Sequence, residues 1–212
     1  MKVVIISDTH GHHRSLDTSD WQGDILIHCG DFLNGVNPPA SLLEDVDDWF
    51  GSLKFKKVLV VGGNHDFEAE LRHAFGERVF KNADFLHDRS YYHGNIHFYG
   101  SPWVPNLQGW AFYASEADLA KKWKTIPRQV DVLITHTPPF GILDTPHGEQ
   151  QHLGCPLLAE RVQLIQPRFH CFGHIHASHG QAVKNNSSFV NAALAAGEFP
   201  FHILNKPITV LL

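Results

Sequence analysis

The stretch RFHCFGHIHASHG, residues 168–180, decides the fold. Its first half is a short apolar run, and its second half sets His174 and His176 one residue apart. An i, i+2 pair shares one side of an extended chain but not of a helix. The expectation is therefore a buried strand over 169–174 that delivers two imidazoles to one place.

Four further runs have the same build: KVVIIS (2–7), DILIHC (24–29), KVLVVG (57–62) and DVLITH (131–136). Each is continuously apolar rather than alternating, the pattern of a strand covered on both faces. Helical patterns lie between them at 41–53, 67–75, 115–123 and 155–165. Ser41 with Glu44 reads as a capping box, and Pro156 suits a first helical position. Hairpins are expected about Gly94-Asn95 and Asn185-Asn186, and PITVLL (207–212) reads as a last strand. With no linker or repeat in view, residues 1–212 read as one α/β domain with a mixed sheet or two stacked sheets.

Each of the five buried strands runs into polar residues beside glycine or proline: SDTHG, HCGDF, GGNHDF, THTPPFG and FGHIH. In open α/β sheets ligands bind outside the carboxyl ends of the strands. One edge would then collect Asp8, His10, Asp31, Asn64, His65, Asp66, His136, His174 and His176. Singly, these motifs are ordinary: DTHG is a common Asp-initiated turn, and a lone strand histidine such as His136 is more often a bonded core residue. Five together, in strand-end positions, make carboxylate, imidazole and amide oxygen converge. That donor set suits Mn, Fe, Zn, Co or Ni, and the absence of thiolate motifs disfavours a structural zinc site. Asp31, a lone carboxylate after Gly30, is placed to bridge two ions, and Gly63 allows Asn64 a close approach.

Composition narrows the function classes. The 212 residues carry a formal net charge of -5, with 17 Lys+Arg and 17 His. Clustered cations occur only in KFKK and KKWK, so a nucleic-acid partner is disfavoured. The start of the chain has no secretory signal and no stretch approaches membrane-spanning length, which gives the expectation of a cytoplasmic protein. Cys29, Cys155 and Cys171 form no metal-knuckle or disulfide pattern, and the first and last of them lie in apolar runs.

The blocks DTHG, GD, GNHD, TH and GHIH, spread over residues 8–176, resemble the five-part signature of the calcineurin-like metallophosphoesterase superfamily. The resemblance implies a four-layer α/β/β/α sandwich, the metallo-dependent phosphatase fold, in which two mixed sheets are flanked by helices and two divalent metals sit at one edge. By motif, Asp8, His10 and His176 would hold one ion, Asn64, His136 and His174 the other, and Asp31 would bridge. His65 falls at the position of a catalytic histidine near the leaving-group oxygen, and a hydroxide held between the ions would attack phosphorus. GDFLNG, LDTPHGEQQHLGC, VQLIQPRFHCFGHIH and VNAA resemble more narrowly the metallophosphoesterase-domain branch related to class III cyclic-nucleotide phosphodiesterases, whose members often prefer manganese. One departure is Asn34, which stands where many members have the Asp that orients the catalytic histidine.

The reading is thus a metal-dependent phosphodiesterase for small phosphodiesters, cyclic nucleotides among them. A phosphomonoesterase or nucleotide pyrophosphatase on the same centre, a weakly active metal-binding scaffold and a nuclease are the alternatives. Asn34, His152 and Asn191 are candidate substrate contacts, and Asp66 either orients a ligand or fixes the GNHD turn. His147 and His152 lie in a polar loop suited to a lid. His12, His13 and Arg14 follow the first motif and read better as surface residues than as phosphate contacts. Trp103, Trp110, Phe112 and Tyr113 are candidates for an aromatic wall, with core packing expected for at least two of them.

Overall fold

A computed structural model describes residues 1–35, 41–146, 151–197 and 202–212. Its first sheet is built from β1 (Lys2–Ile6), β2 (Gln22–His28), β3 (Lys54–Val60), β4 (Asp84–Phe85) and β13 (Ile208–Leu211), in the order β13-β1-β2-β3-β4. Strands β1 to β4 are parallel, and β13 returns antiparallel along β1. The second sheet has β5 (Arg89–His93), β6 (Ile96–Ser101), β7 (Val132–Thr135), β8 (Phe169–Phe172), β9 (Gly180–Lys184) and β10 (Ser187–Asn191), in the order β5-β6-β7-β8-β10-β9. Its four middle strands are parallel and its two edge strands antiparallel. A two-stranded ribbon, β11 (Ala195–Ala196) with β12 (His202–Ile203), lies apart.

Alternation along the strands sorts side chains into layers. Val3, Ile5, Ile25, Ile27 and Leu59 of the first sheet pack against Phe98, Val132, Ile134, Cys171 and Val190 of the second. The opposite face of the first sheet, with Val4, Ile6, Leu26, Val58 and Val60, is covered by α1 (Leu42–Ser52) through Leu43, Val46, Trp49 and Phe50, and by Ala69 of α2 (Phe67–Ala74). The outer face of the second sheet meets α3 (Glu116–Thr125) and α4 (Pro156–Ile165), where Leu119, Trp123, Leu158 and Val162 pack on Tyr99, Leu133, Phe172 and Phe189. The result is helix, sheet, sheet, helix. Because both faces of the central strands are buried, their sequences are apolar without interruption.

Helix starts followed the expected chemistry unevenly. Ser115 extends before α3 and its hydroxyl accepts from the Asp118 amide, and Pro156 opens α4. The capping box at Ser41 does not form. Ser41 is itself helical (φ -78°, ψ -8°) and its side chain makes no cap bond, while Glu44 is drawn to Arg72 of α2. Both expected hairpins are present. No helix among the described residues is long and apolar enough to cross a membrane.

Candidate metal centre

Parallel strands β1, β2 and β3 bring Asp8, Asp31 and Asn64 to one edge of the first sheet. Parallel β7 and β8 bring His136, His174 and His176 to the matching edge of the second. Backbone stitches the loops of each half together, the Asp8 amide donating to Gly30 O (2.9 Å), His10 N to Asp31 O (3.0 Å) and Gly173 N to His136 O (3.1 Å), and the His174 amide crosses between the halves to Asp8 Oδ2 (3.0 Å).

The imidazole pair does not arrive on an extended strand. Strand β8 ends at Phe172, His174 is left-handed (φ 69°) and His176 begins a short 3-10 turn ending at Ser178. Asp8 (φ 55°), His10 (φ 43°) and Asp31 (φ 55°) are left-handed as well. The expectation of same-side side chains on a strand is therefore corrected: they converge because the chain turns sharply under them. Glycine supplies the room. A Cβ on Gly63 would stand 2.3 Å from Asp31 Oδ1, and one on Gly173 would stand 2.1 Å from both Asp8 Oδ2 and Ser7 Oγ. Backbone thus approaches the carboxylates as only glycine permits.

Among the described residues three overlapping groups result, in each of which the possible ligand atoms lie within 4.8 Å of one another: Asp8, His10 and His176; Asp31, His136 and His174; and His10, Asp31 and His65. In the first, the Nε2 atoms of His10 and His176 are 3.2 Å apart, and His176 Nε2 is 3.3 Å from Asp8 Oδ1. In the second, His136 Nε2 lies 3.3 Å from Asp31 Oδ2 and 3.0 Å from Asn64 Oδ1, while its Nδ1–H donates to Cys29 O at 2.8 Å. That carbonyl fixes the ring so that Nε2 faces the centre, the usual outer support of a metal-binding histidine. Asp31 belongs to both sides, with Oδ2 4.0 Å from His10 Nε2.

Electrostatics fit a cation. Burial opposes ionisation of Asp8 and Asp31, yet neighbouring histidines outweigh it and hold both carboxyls below the usual range, His176 acting on Asp8 and His136 on Asp31. Burial pushes His10 down to about 4 and His174 to about 3. His136 is raised to about 9, because Asp31 outweighs the cost of burial. Two buried anions facing imidazole nitrogens, with nitrogen against nitrogen at 3.2 Å, call for positive charge between them. A divalent ion would displace the protons that otherwise supply it. The donor set and the glycine cradle both suit such ions.

The remaining candidates separate. His65 sits at the centre: its ring is 4.7 Å from that of His10, and its amide donates to Asp31 Oδ1 at 2.8 Å. Asp66 is fully buried and accepts from the amides of Asp31, Leu33 and Gly63, each at 2.8 Å, so it ties the GD and GNHD turns together. Asn34 is exposed, and the next residue, Gly35, passes close to His65. Asn191 is corrected from a substrate contact to an internal brace. It is buried, its amide group donates to Leu143 O and Ile175 O, and its oxygen accepts from Ala193 N, so the side chain is engaged by the protein's own backbone. Ile175 stands between His174 and His176, so this brace holds their turn.

His152 is likewise directed elsewhere. Its Nδ1 lies 2.7 Å from Asp144, which also accepts from Gly141 and Gly154, and its ring faces Phe140. His147 lies outside the described residues. His13 is corrected from surface to interior: it is buried, 2.7 Å from Asp45 and packed on Trp49. Gly173 and the Cys29 carbonyl were missed. The available signal was a glycine directly before a candidate ligand in GD, GN and GH alike.

A profile of the calcineurin-like phosphoesterase family matches residues 1–178. The chain belongs to that family. A UPF0046 protein of Caenorhabditis elegans is 38% identical over 208 residues, covering 91% of this chain and 69% of its own length. Human metallophosphoesterase domain-containing protein 1 is 32% identical over 234 residues, covering 99% and 70%. The solved structure of TT1561 from Thermus thermophilus has a TM-score of 0.57 at 16% identity, over 90% of this chain and 88% of its own. Calcineurin-like phosphoesterases are metal-dependent hydrolases of phosphoesters, and the donor groups at the sheet edges are this chain's candidate metal-binding residues.

Proposed function

We propose that this chain is a phosphodiesterase acting on small phosphodiesters, cyclic nucleotides among them, with two divalent ions and manganese as the first choice. Asp8, His10 and His176 would hold one ion, Asn64, His136 and His174 the other, and Asp31 would lie between. The observation that carries the reading is the shared carboxylate: Asp31 Oδ2 faces His10 Nε2 at 4.0 Å and His136 Nε2 at 3.3 Å.

Bound ions supply Lewis-acid polarisation of the phosphoryl oxygens and acidify water. The chain's own residues do the rest. His65, beside His10 and tied through its amide to Asp31, hydrogen-bonds the leaving-group oxygen. Asp66 and Asn191 hold the loops that carry the ligands. A diester is favoured over a monoester because Arg14, the cation that follows the first motif, is engaged by Asp45 rather than free for a second phosphate charge. The net charge of -5 supports a small substrate over a nucleic acid. Three unpaired, buried cysteines support a reducing, cytoplasmic setting. Residues 1–212 act as one domain, a reading supported by the pairing of β13 with β1.

The test strips the protein of metal, reloads it separately with manganese, iron, zinc and magnesium, and measures metal per chain beside turnover of bis(4-nitrophenyl) phosphate and 4-nitrophenyl phosphate. Two ions per chain and faster diester turnover are expected. A strong monoester preference overturns the diester reading, and a chain that retains no metal overturns the centre.

A further inference from the structure

Four aromatic residues in SPWVPNLQGWAFY follow the GNHD block at a distance, and the fold divides them. Phe112 is buried, its ring lying where a Cβ on Gly62 would be 2.3 Å away, and Trp103 packs half-buried with its Nε1 donating to Asp88. Tyr113 is half-buried, whereas Trp110 is 38% exposed. Other large aromatics stand in solvent, namely Phe75, Tyr92 and Phe140. Trp110 differs from them in touching the centre: its ring is 4.8 Å from the His65 ring at 56°, and 6.1 Å from Phe67.

The placement is held from several sides. Trp110 N donates to Leu107 O, and the next amide, Ala111 N, donates to Asn64 O at 3.2 Å. Phe112 N donates to Glu70 Oε1 at 2.7 Å, and its left-handed backbone (φ 54°) turns the chain there. The backbone that carries the indole is therefore tied to the segment that holds Asn64 and His65. The indole packs beside Phe67, at 6.1 Å between ring centroids, and the residue is still 38% exposed.

We propose that Trp110 determines specificity by stacking on a flat aromatic group of the substrate, aryl or nucleobase, beside the phosphoryl group on the His65 side. This rests on the phosphoesterase reading given above and narrows its substrate class. Stacking of a base on an aromatic side chain corresponds to roughly a fivefold to hundredfold gain in affinity.

The experiment uses manganese-loaded full chain and titrates it calorimetrically with inorganic phosphate, methyl phosphate, phenyl phosphate and adenosine 5′-monophosphate. Inorganic phosphate reports on the centre itself, and the aromatic ligands divided by methyl phosphate report on Trp110. The wild-type protein is expected to favour at least one aromatic ligand by roughly tenfold. Phenyl phosphate as the winner assigns an aryl group next to the ester, and the nucleotide as the winner assigns a base. Trp110→Ala is expected to bring the ratio close to one, and Trp110→Phe to restore most of it. An aromatic preference that survives Trp110→Ala, or none in the wild type, overturns this inference while phosphate binding still supports the centre. Failure of the wild type to bind phosphate overturns both.

Discussion

Gly173→Ala is a single methyl group added where the structure has no room. The backbone there is not left-handed, so alanine is conformationally allowed and the cost is steric alone. Its Cβ would lie 2.1 Å from Asp8 Oδ2, 2.1 Å from Ser7 Oγ and 2.5 Å from Ser7 Cβ. Carbon atoms in contact prefer about 3.5–4.0 Å, so the overlap exceeds about 1 Å on two sides. Neither side yields easily: Ser7 and Asp8 are fully buried, Asp8 N is bonded to Gly30 O, and Gly173 N is bonded to His136 O. Relief must come from swinging the Asp8 carboxylate aside or from lifting the turn that carries His174 and His176.

Either movement displaces a proposed ligand by about 1 Å, a misplacement that costs on the order of a hundredfold in rate. Overpacking of this kind destabilises by about 1–3 kcal/mol, and each kcal/mol lowers Tm by about 2–4 °C for a chain of this size. The assay is kcat/KM for bis(4-nitrophenyl) phosphate with metal per chain and thermal unfolding measured on the same preparation. Ser7→Gly in the alanine background removes two of the three overlaps but not that with Asp8, so it should recover stability and leave metal loading impaired. Wild-type turnover and full metal loading in Gly173→Ala would refute the reasoning, because they would mean that the Asp8 position is not set by this contact.

Two further outcomes follow from buried groups. Asp66→Asn replaces one acceptor oxygen by a donor facing the amides of Asp31, Leu33 or Gly63. It should cost about 1–3 kcal/mol, seen as a lower Tm by calorimetry; an unchanged Tm would show that the amides find other acceptors. Burial holds His170 down to about 3, so the folded protein keeps it neutral while the unfolded chain takes up a proton below about 6.5. Its contribution to stability is complete above that pH and is lost as pH falls toward 3, at about 1.4 kcal/mol per pH unit. His170→Phe should remove this part of the slope in urea unfolding between about pH 6.5 and 4.5, and an unaltered slope would refute it.

What the sequence made legible follows from what was local. The five buried strands announced themselves because both faces are covered, and the polar ends of those strands named the residues that Asp31 and its neighbours bring together. The two-residue strands Asp84–Phe85, Ala195–Ala196 and His202–Ile203 have no local pattern to read. The roles of Asp66 and Asn191 depend in part on partners as far as 35 and 48 residues away, which spacing along the chain does not reveal. His13 looked exposed because its neighbours are polar. Its burial depends on Asp45 and Trp49, residues that α1 brings across from another part of the chain.

The left-handed candidate ligands explain why such a site needs a whole fold behind it. Asp8, His10, Asp31 and His174 all have positive φ without being glycine, a conformation that L-residues avoid at roughly 1–2 kcal/mol each. Each is held at its amide: Asp8 by Gly30 O, His10 by Asp31 O, Asp31 by the Asp66 carboxylate and His174 by the Asp8 carboxylate. The chain of bonds runs from one of these loops to the next, so that the acceptor for one strained residue is another candidate ligand or its direct support. Releasing any one of them would free a neighbour to relax toward ordinary backbone geometry. Strain and cross-linking are therefore two aspects of one device, which holds the candidate donor atoms in position and makes their positions interdependent.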